Sequence, residues 1–136
     1  MCYFLYGAIN DGININDYEK IVQNSGYHFY IGSKDNVNMC VEKSTSEYRI
    51  TQKHCDCDTP IGTRHPNKTG LAEFAQLLQS MKTIRGIKYV MISKNWYNET
   101  NKKEECIHID NVDIIHFLAN IEDNCLYKIE LYKKYY

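Results

Sequence analysis

Long apolar runs are missing from this chain of 136 residues. No window approaches the roughly 18 apolar residues that a membrane-spanning helix needs. The apolar run at residues 2–9 has no basic start and meets Asn10, Asp11 and Gly12 at once, so it is typical of a strand rather than a signal peptide. We therefore expect a cytoplasmic protein without membrane contact, whose six cysteines are thiols or metal ligands rather than disulfides.

A strong charge of one sign is also missing. Sixteen basic and seventeen acidic residues are spread along the chain and leave a formal net charge of −1. General binding to nucleic acids or membrane surfaces usually leaves a basic patch, so we expect neither. Specific binding through a small surface stays open.

The common catalytic motifs are absent as well. The chain contains no G-x-S-x-G, no P-loop, no dinucleotide-binding glycine motif and no H-E-x-x-H. The sequence therefore predicts no particular reaction and no catalytic residue. Tyrosine-rich strands and an exposed loop favour a non-enzymatic binding or accessory module that contacts a protein or a small ligand. Self-association is a further expectation, because sheet edges need cover.

The periodicity of apolar residues predicts one α+β domain over residues 1–136, in the order βαβββαββαβ. We expect a mixed, mainly antiparallel sheet with three helices packed on it, and more specifically an elaborated ferredoxin-like core, βαββαβ. One feature conflicts with that core. Residues 87–92 would be its last strand, which lies at a sheet edge, but they are apolar on both faces, as is typical of a central strand. The predicted strands cover residues 2–9, 27–31, 37–42, 47–52, 87–92, 106–109 and 126–132.

Capping residues predict where the helices begin. Asn14 is expected to cap the first helix, Thr69 a second helix that ends near Arg85, and a third begins near Asp110 with Asp113 three residues later. Residues 94–105 are polar and charged and are expected to form an exposed loop or hairpin tip, with Trp96 and Tyr97 at its base. Deleting residues 99–103 from such a loop should leave the melting temperature nearly unchanged.

The stretch KHCDCDTPIGTRHP, residues 53–66, concentrates two cysteines and two histidines in a long connection. Cys55 and Cys57 are two residues apart, as are Cys106 and His108, so in extended backbone each pair projects to one side. Together they would supply the four ligands of a Cys3His zinc site. The alternative is that Cys106 is a small buried residue and the loop cysteines are simply exposed.

The same loop supports two other hypotheses. Nearby cations, from Lys53, His54, Arg64 or His65, would activate Cys55 or Cys57 for thiol-dependent catalysis or redox chemistry, although Asp56 and Asp58 oppose ionisation of the thiol. Alternatively, Arg64, His65 and Lys68 precede a helix N-terminus at Thr69 and would form an anion or nucleotide-binding site. That site would lack the glycine-rich cradle of known phosphate loops.

Overall fold

The computed structural model describes residues 3–10, 12–26, 28–31, 45–51, 57, 59–96, 99 and 101–132. Within them the chain forms six strands and three helices, with a 3-10 turn at Ile109–Asn111 ahead of the last helix. The elements are β1 Tyr3–Asn10, α1 Ile15–Asn24, β2 His28–Ile31, β3 Thr45–Thr51, α2 Leu71–Met81, β4 Tyr89–Trp96, β5 Lys103–His108, α3 Ile114–Ala119 and β6 Cys125–Glu130. The strand predicted over residues 37–42 lies outside the described residues.

The six described strands form one sheet in the order β2-β3-β1-β4-β6-β5. Neighbouring strands pair antiparallel except β5 and β6, which are parallel and are connected through α3. The predicted α+β class, with a mixed and mainly antiparallel sheet, is confirmed. β1 and β2 run in the same direction on either side of β3, which is a split βαβ arrangement. The ferredoxin-like core stays a prediction, since the sheet continues past β4 into β6 and β5.

β4 lies in the interior of the sheet, between β1 and β6. Seven of its eight residues are buried, from Tyr89 to Asn95. The apolar character of both faces at residues 87–92 therefore reflects a central position, which the two additional strands provide. Strands covered on both faces carry such continuous apolar runs.

All three helices contribute to one core that covers a single face of the sheet. Strand alternation gives this face Leu5 and Ile9 from β1, Val90 and Ile92 from β4, and Ile129 from β6. The opposite face carries a smaller buried cluster, which consists of Ala8, Tyr89, Met91 and Leu126. The register of β4 thus decides which of its side chains meets the helices.

Two of the three helix starts follow the capping rules. The Asn14 side chain accepts a hydrogen bond from the backbone N–H of Asn16, as predicted, and Asp113 caps α3. The predicted start of the third helix at Asp110 is wrong, because Asp110 lies in the 3-10 turn ahead of it. For α2 the prediction that Thr69 caps a helix reaching Arg85 is wrong. The capping residue is Gly70, whose φ of 98° is readily available only to glycine, and no side chain caps the helix. At the other end the helix stops at Met81, because the backbone N–H groups that follow bond to carbonyls three residues earlier, as in a 3-10 helix, and not four.

The prediction of an exposed loop over residues 94–105 is wrong at both ends. Lys94 and Asn95 are buried residues of β4, and Lys103 already belongs to β5. Between them, the Asn101 side-chain oxygen accepts hydrogen bonds from Ser93 Oγ and Asn95 Nδ2, both at 2.9 Å. The connection is therefore anchored to the sheet. Among the described residues, no helix is both long enough and apolar enough to cross a membrane.

We expect Asn101→Ala to lower the free energy of unfolding by about 1 kcal/mol, the net worth of a lost hydrogen bond, because Ser93 Oγ keeps Asn95 Oδ1 as an acceptor and Asn95 Nδ2 keeps the Glu99 carbonyl. The measurement is urea unfolding followed by circular dichroism. Lys102→Ala is the matched control, since Lys102 is exposed and its hydrogen bond to the Asn124 carbonyl comes from the backbone. Equal stabilities of the two variants would show that the Asn101 contacts are not stabilising.

Candidate functional site

Tyr3 and Trp96 face each other across the antiparallel pair β1–β4, at the end of the sheet where β1 begins and β4 ends. Directly opposed residues project from the same face of a sheet. Their ring centroids are 3.7 Å apart, with planes tilted by 33°. Trp96 is 36% exposed, one of two large hydrophobic side chains in the described chain with so much exposure. The stack therefore presents an aromatic surface to solvent.

Lys94 lies two residues before Trp96 on the same face of β4 and is only 7% exposed. Its Nζ donates a hydrogen bond to the Ile61 carbonyl at 3.1 Å and lies 4.7 Å from the centroid of the Tyr3 ring. A buried ammonium needs such acceptors, because losing its hydration is costly. The hydrogen bond to Ile61 therefore connects the sheet to the loop that contains this fully buried residue.

The Tyr3 hydroxyl donates a hydrogen bond to Asp123 Oδ2 at 2.8 Å. Loss of hydration, this hydrogen bond and the electrostatic influence of Asp123 and Cys57 together raise the pKa of Tyr3 to about 12. A phenol with this pKa stays neutral at physiological pH. Tyr3 is accordingly a fixed hydrogen-bond donor to the carboxylate rather than an acid or base.

Cys57 is exposed and lies beside this stack, where its Sγ accepts a hydrogen bond from the Tyr3 backbone N–H at 3.4 Å. We call Tyr3, Cys57, Trp96 and Asp123, with Lys94 beneath them, the Tyr3–Trp96 surface. Cys55 and the nearby Lys53, His54, Asp56 and Asp58 lie outside the described residues. Activation of a loop thiol stays a prediction.

The structure does not bring Cys57 to the other predicted zinc ligands, Cys106 and His108. Followed from strand to strand, the pairings put Cys106 of β5 at the same height in the sheet as Ala8 of β1, three strands away. Cys57 instead contacts Tyr3, at the start of β1. With about 4.8 Å between strands and about 3.3 Å per residue, the two cysteines are about 20 Å apart, far beyond a shared zinc ion. Across the described part of the chain, no three His, Cys, Asp or Glu side chains are grouped to hold a metal.

Cys106 and His108 instead have protein partners at the edge strand β5. Cys106 Sγ donates to Glu130 Oε1 at 2.8 Å, and this hydrogen bond, with partial burial, raises the pKa of the thiol. His108 is 5% exposed; its Nδ1 accepts from the Asp110 N–H at 3.1 Å, and its Nε2 lies 2.7 Å from the Tyr132 carbonyl. The accepting Nδ1 assigns the proton to Nε2. Both ring nitrogens are thus occupied by the fold.

The four residues of the predicted anion site, Arg64, His65, Lys68 and Thr69, are all exposed ahead of α2. Backbone contacts hold this segment: the Arg64 N–H donates to the Ala119 carbonyl at 2.6 Å, and the Lys68 N–H donates to the His65 carbonyl at 3.0 Å. The Arg64 charge helps to lower the pKa of Glu122, after the larger effect of Lys103. Anion binding by these four residues stays a prediction.

Sequence reasoning missed the importance of Tyr3, Lys94, Trp96 and Asp123. The one available signal was Trp96, the single tryptophan, two residues after a lysine in the run YVMISKNW. Period-two alternation of this run places Lys94 and Trp96 on one face. Their partner Tyr3 is 93 positions away in sequence and became visible only through the strand register.

No family model matches the chain, and neither a curated protein nor a solved structure shows significant similarity to it.

We expect Lys94→Met to lower the free energy of unfolding by about 1 to 3 kcal/mol, because the methionine fills the space but leaves the Ile61 carbonyl without its donor. Trypsin should then cleave faster after Arg64 and Lys68, which lie in the loop that Lys94 fastens. The control is Lys88→Met, which replaces an exposed lysine just before β4. Unchanged stability and cleavage in Lys94→Met would contradict a fastening role.

The raised pKa of Tyr3 also predicts a loss of stability in alkali. The folded-state pKa of about 12 exceeds the ordinary value of 10.0, so the stabilising contact is complete below pH 10 and is lost as pH rises through 12. The unfolding free energy of Tyr3→Phe should therefore fall less between pH 10 and pH 12 than that of the wild type. Urea unfolding at half-unit pH steps measures the difference, and parallel curves for the two proteins would refute it.

Proposed function

We propose that this protein is a non-enzymatic binding module that contacts a partner protein through the Tyr3–Trp96 surface. The observation that supports the proposal is the exposed Trp96 ring, held in place by a stack on Tyr3 with centroids 3.7 Å apart. Tryptophan and tyrosine are enriched among the residues that dominate the energy of protein interfaces.

Rigidity supports this role for Trp96. Its backbone N–H donates to Asn124 Oδ1 at 3.1 Å, and its carbonyl accepts from the Glu99 N–H at 3.0 Å. Behind the stack, Lys94 packs over the Tyr3 ring. Binding to a surface that is already ordered loses less conformational entropy, so a fixed aromatic ring contributes more affinity than a mobile one.

A small-ligand role has weaker support. A groove between α1 and α2 encloses about 450 Å³, a volume within the range of ligand pockets. Such pockets are mostly lined by apolar side chains. Here only Ile21 and Leu77 are apolar, and the rest of the lining is Asn24, Ser25, Glu73, Gln76 and Ser80. A protein contact at Trp96 is therefore the better-supported function.

The test compares the cross-linked partners of tagged wild-type protein, Trp96→Ala and Tyr132→Ala in the cells of origin, by quantitative mass spectrometry. Tyr132 is the matched control because, among the residues that the structure describes, it is the other large exposed hydrophobic one, 44% exposed, at the opposite end of the sheet. We expect a partner that the wild type and Tyr132→Ala both retain and that Trp96→Ala loses by at least tenfold, which is about the effect of truncating an important interface residue.

Circular dichroism and melting curves must show that both variants fold. A set of partners that Trp96→Ala leaves unchanged would refute the proposal. Turnover by the purified protein in a broad hydrolase and oxidoreductase screen, lost in Cys57→Ser, would favour the thiol-dependent enzyme instead.

A further inference from the structure

The Tyr3–Trp96 surface combines an exposed aromatic ring with the carboxylate of Asp123. Among the described residues, Asp123 forms no ion pair, and its carboxylate accepts a hydrogen bond from the neutral Tyr3 hydroxyl at 2.8 Å. Its neighbour Glu122 differs, because Lys103 Nζ lies 3.1 Å from Glu122 Oε2. Within the described part of the chain, the surface therefore carries a negative charge without an ion pair, one phenol ring away from Trp96.

The inner side of the same stack already holds an ammonium group. Lys94 Nζ lies 4.7 Å from the Tyr3 ring centroid, within the range of a cation–π contact. That ammonium is buried and bonded to the Ile61 carbonyl, so it is not available to a partner as a surface charge. Trp96 is the exposed member of the stack, and tryptophan is the aromatic residue that binds cations best.

Each kind of partner side chain has a different consequence for Asp123. An apolar side chain packed on Trp96 would remove water from the carboxylate without replacing it, which is unfavourable. An acidic side chain would add repulsion. A guanidinium or ammonium group stacks on the indole ring and neutralises the carboxylate at the same time.

We propose that the Tyr3–Trp96 surface recognises an arginine or lysine side chain of the partner protein, with Trp96 stacking on the cation and Asp123 pairing with its charge. This inference rests on the proposed function and specifies the chemistry of the partner. It commits to a basic protein segment, since the described residues provide a carboxylate without an ion pair and an exposed indole ring at the protein surface.

The experiment measures fluorescence anisotropy of a labelled peptide that carries two arginines, and of the same peptide with citrulline in their place. Citrulline keeps the shape and removes the charge. We expect the arginine peptide to bind the wild type about fivefold more tightly than the citrulline peptide, the size expected for one cation–π contact with a carboxylate nearby. Equal binding of the two peptides, or no binding of the arginine peptide at millimolar protein, would overturn the inference.

The variant Asp123→Asn keeps an acceptor for the Tyr3 hydroxyl and removes the charge, and it should reduce arginine-peptide binding about fivefold. Asp17→Asn is the control with the same change in net charge; Asp17 is an exposed residue of α1, which follows the opposite end of β1. Trp96→Leu should reduce the preference for arginine over citrulline, because only the carboxylate then favours the charge. A preference as large as that of the wild type in either Asp123→Asn or Trp96→Leu would count against the assignment.

Two failures are distinguishable. If cross-linking finds a partner that depends on Trp96 while the arginine and citrulline peptides bind alike, the binding function stands and the cationic partner is wrong. If no partner depends on Trp96, the proposed function itself fails, whatever the peptides do.

Discussion

The central position of β4 determines where most of the chemically interesting side chains lie. This strand is paired on both edges, with β1 and with β6, and its residues alternate between a helix-covered face and the opposite face. Since neither an edge nor a face of the strand is free, its register is strongly specified. Lys94 and Trp96 are consequently placed on the helix-covered face at the end of the strand, where the cover of helices gives way to loops.

Lys94 links the sheet to the loop that the sequence marked as unusual. Its ammonium bonds to the Ile61 carbonyl, while the backbone N–H of Gly62 donates to the Leu118 carbonyl at 2.8 Å and that of Arg64 to the Ala119 carbonyl. The segment 59–66 is therefore fixed to β4 on one side and to α3 on the other. A connection held in this way provides a rigid border for the aromatic stack beside it.

The cysteines illustrate how a spacing pattern differs from a site. Cys106 and His108 do project from one side of a strand, as their spacing predicts, but Glu130 and the carbonyl of Tyr132 lie within hydrogen-bond reach of them. Cys57 lies at the other end of the sheet beside Tyr3. Spacing along one strand determines which face a pair occupies, whereas the pairing order of all the strands determines which pairs meet.

The sequence by itself determined the α+β class, the capping of α1 by Asn14 and the burial of β4 on both faces, because these depend on local periodicity and on hydrogen bonds between near neighbours. It did not determine that β6 and then β5 extend the sheet beyond β4, or that Tyr3, Trp96 and Asp123 form one surface. These two features join residues up to 120 positions apart, as Tyr3 and Asp123 are. Contacts between distant residues follow from strand order and register, which only the tertiary structure decides.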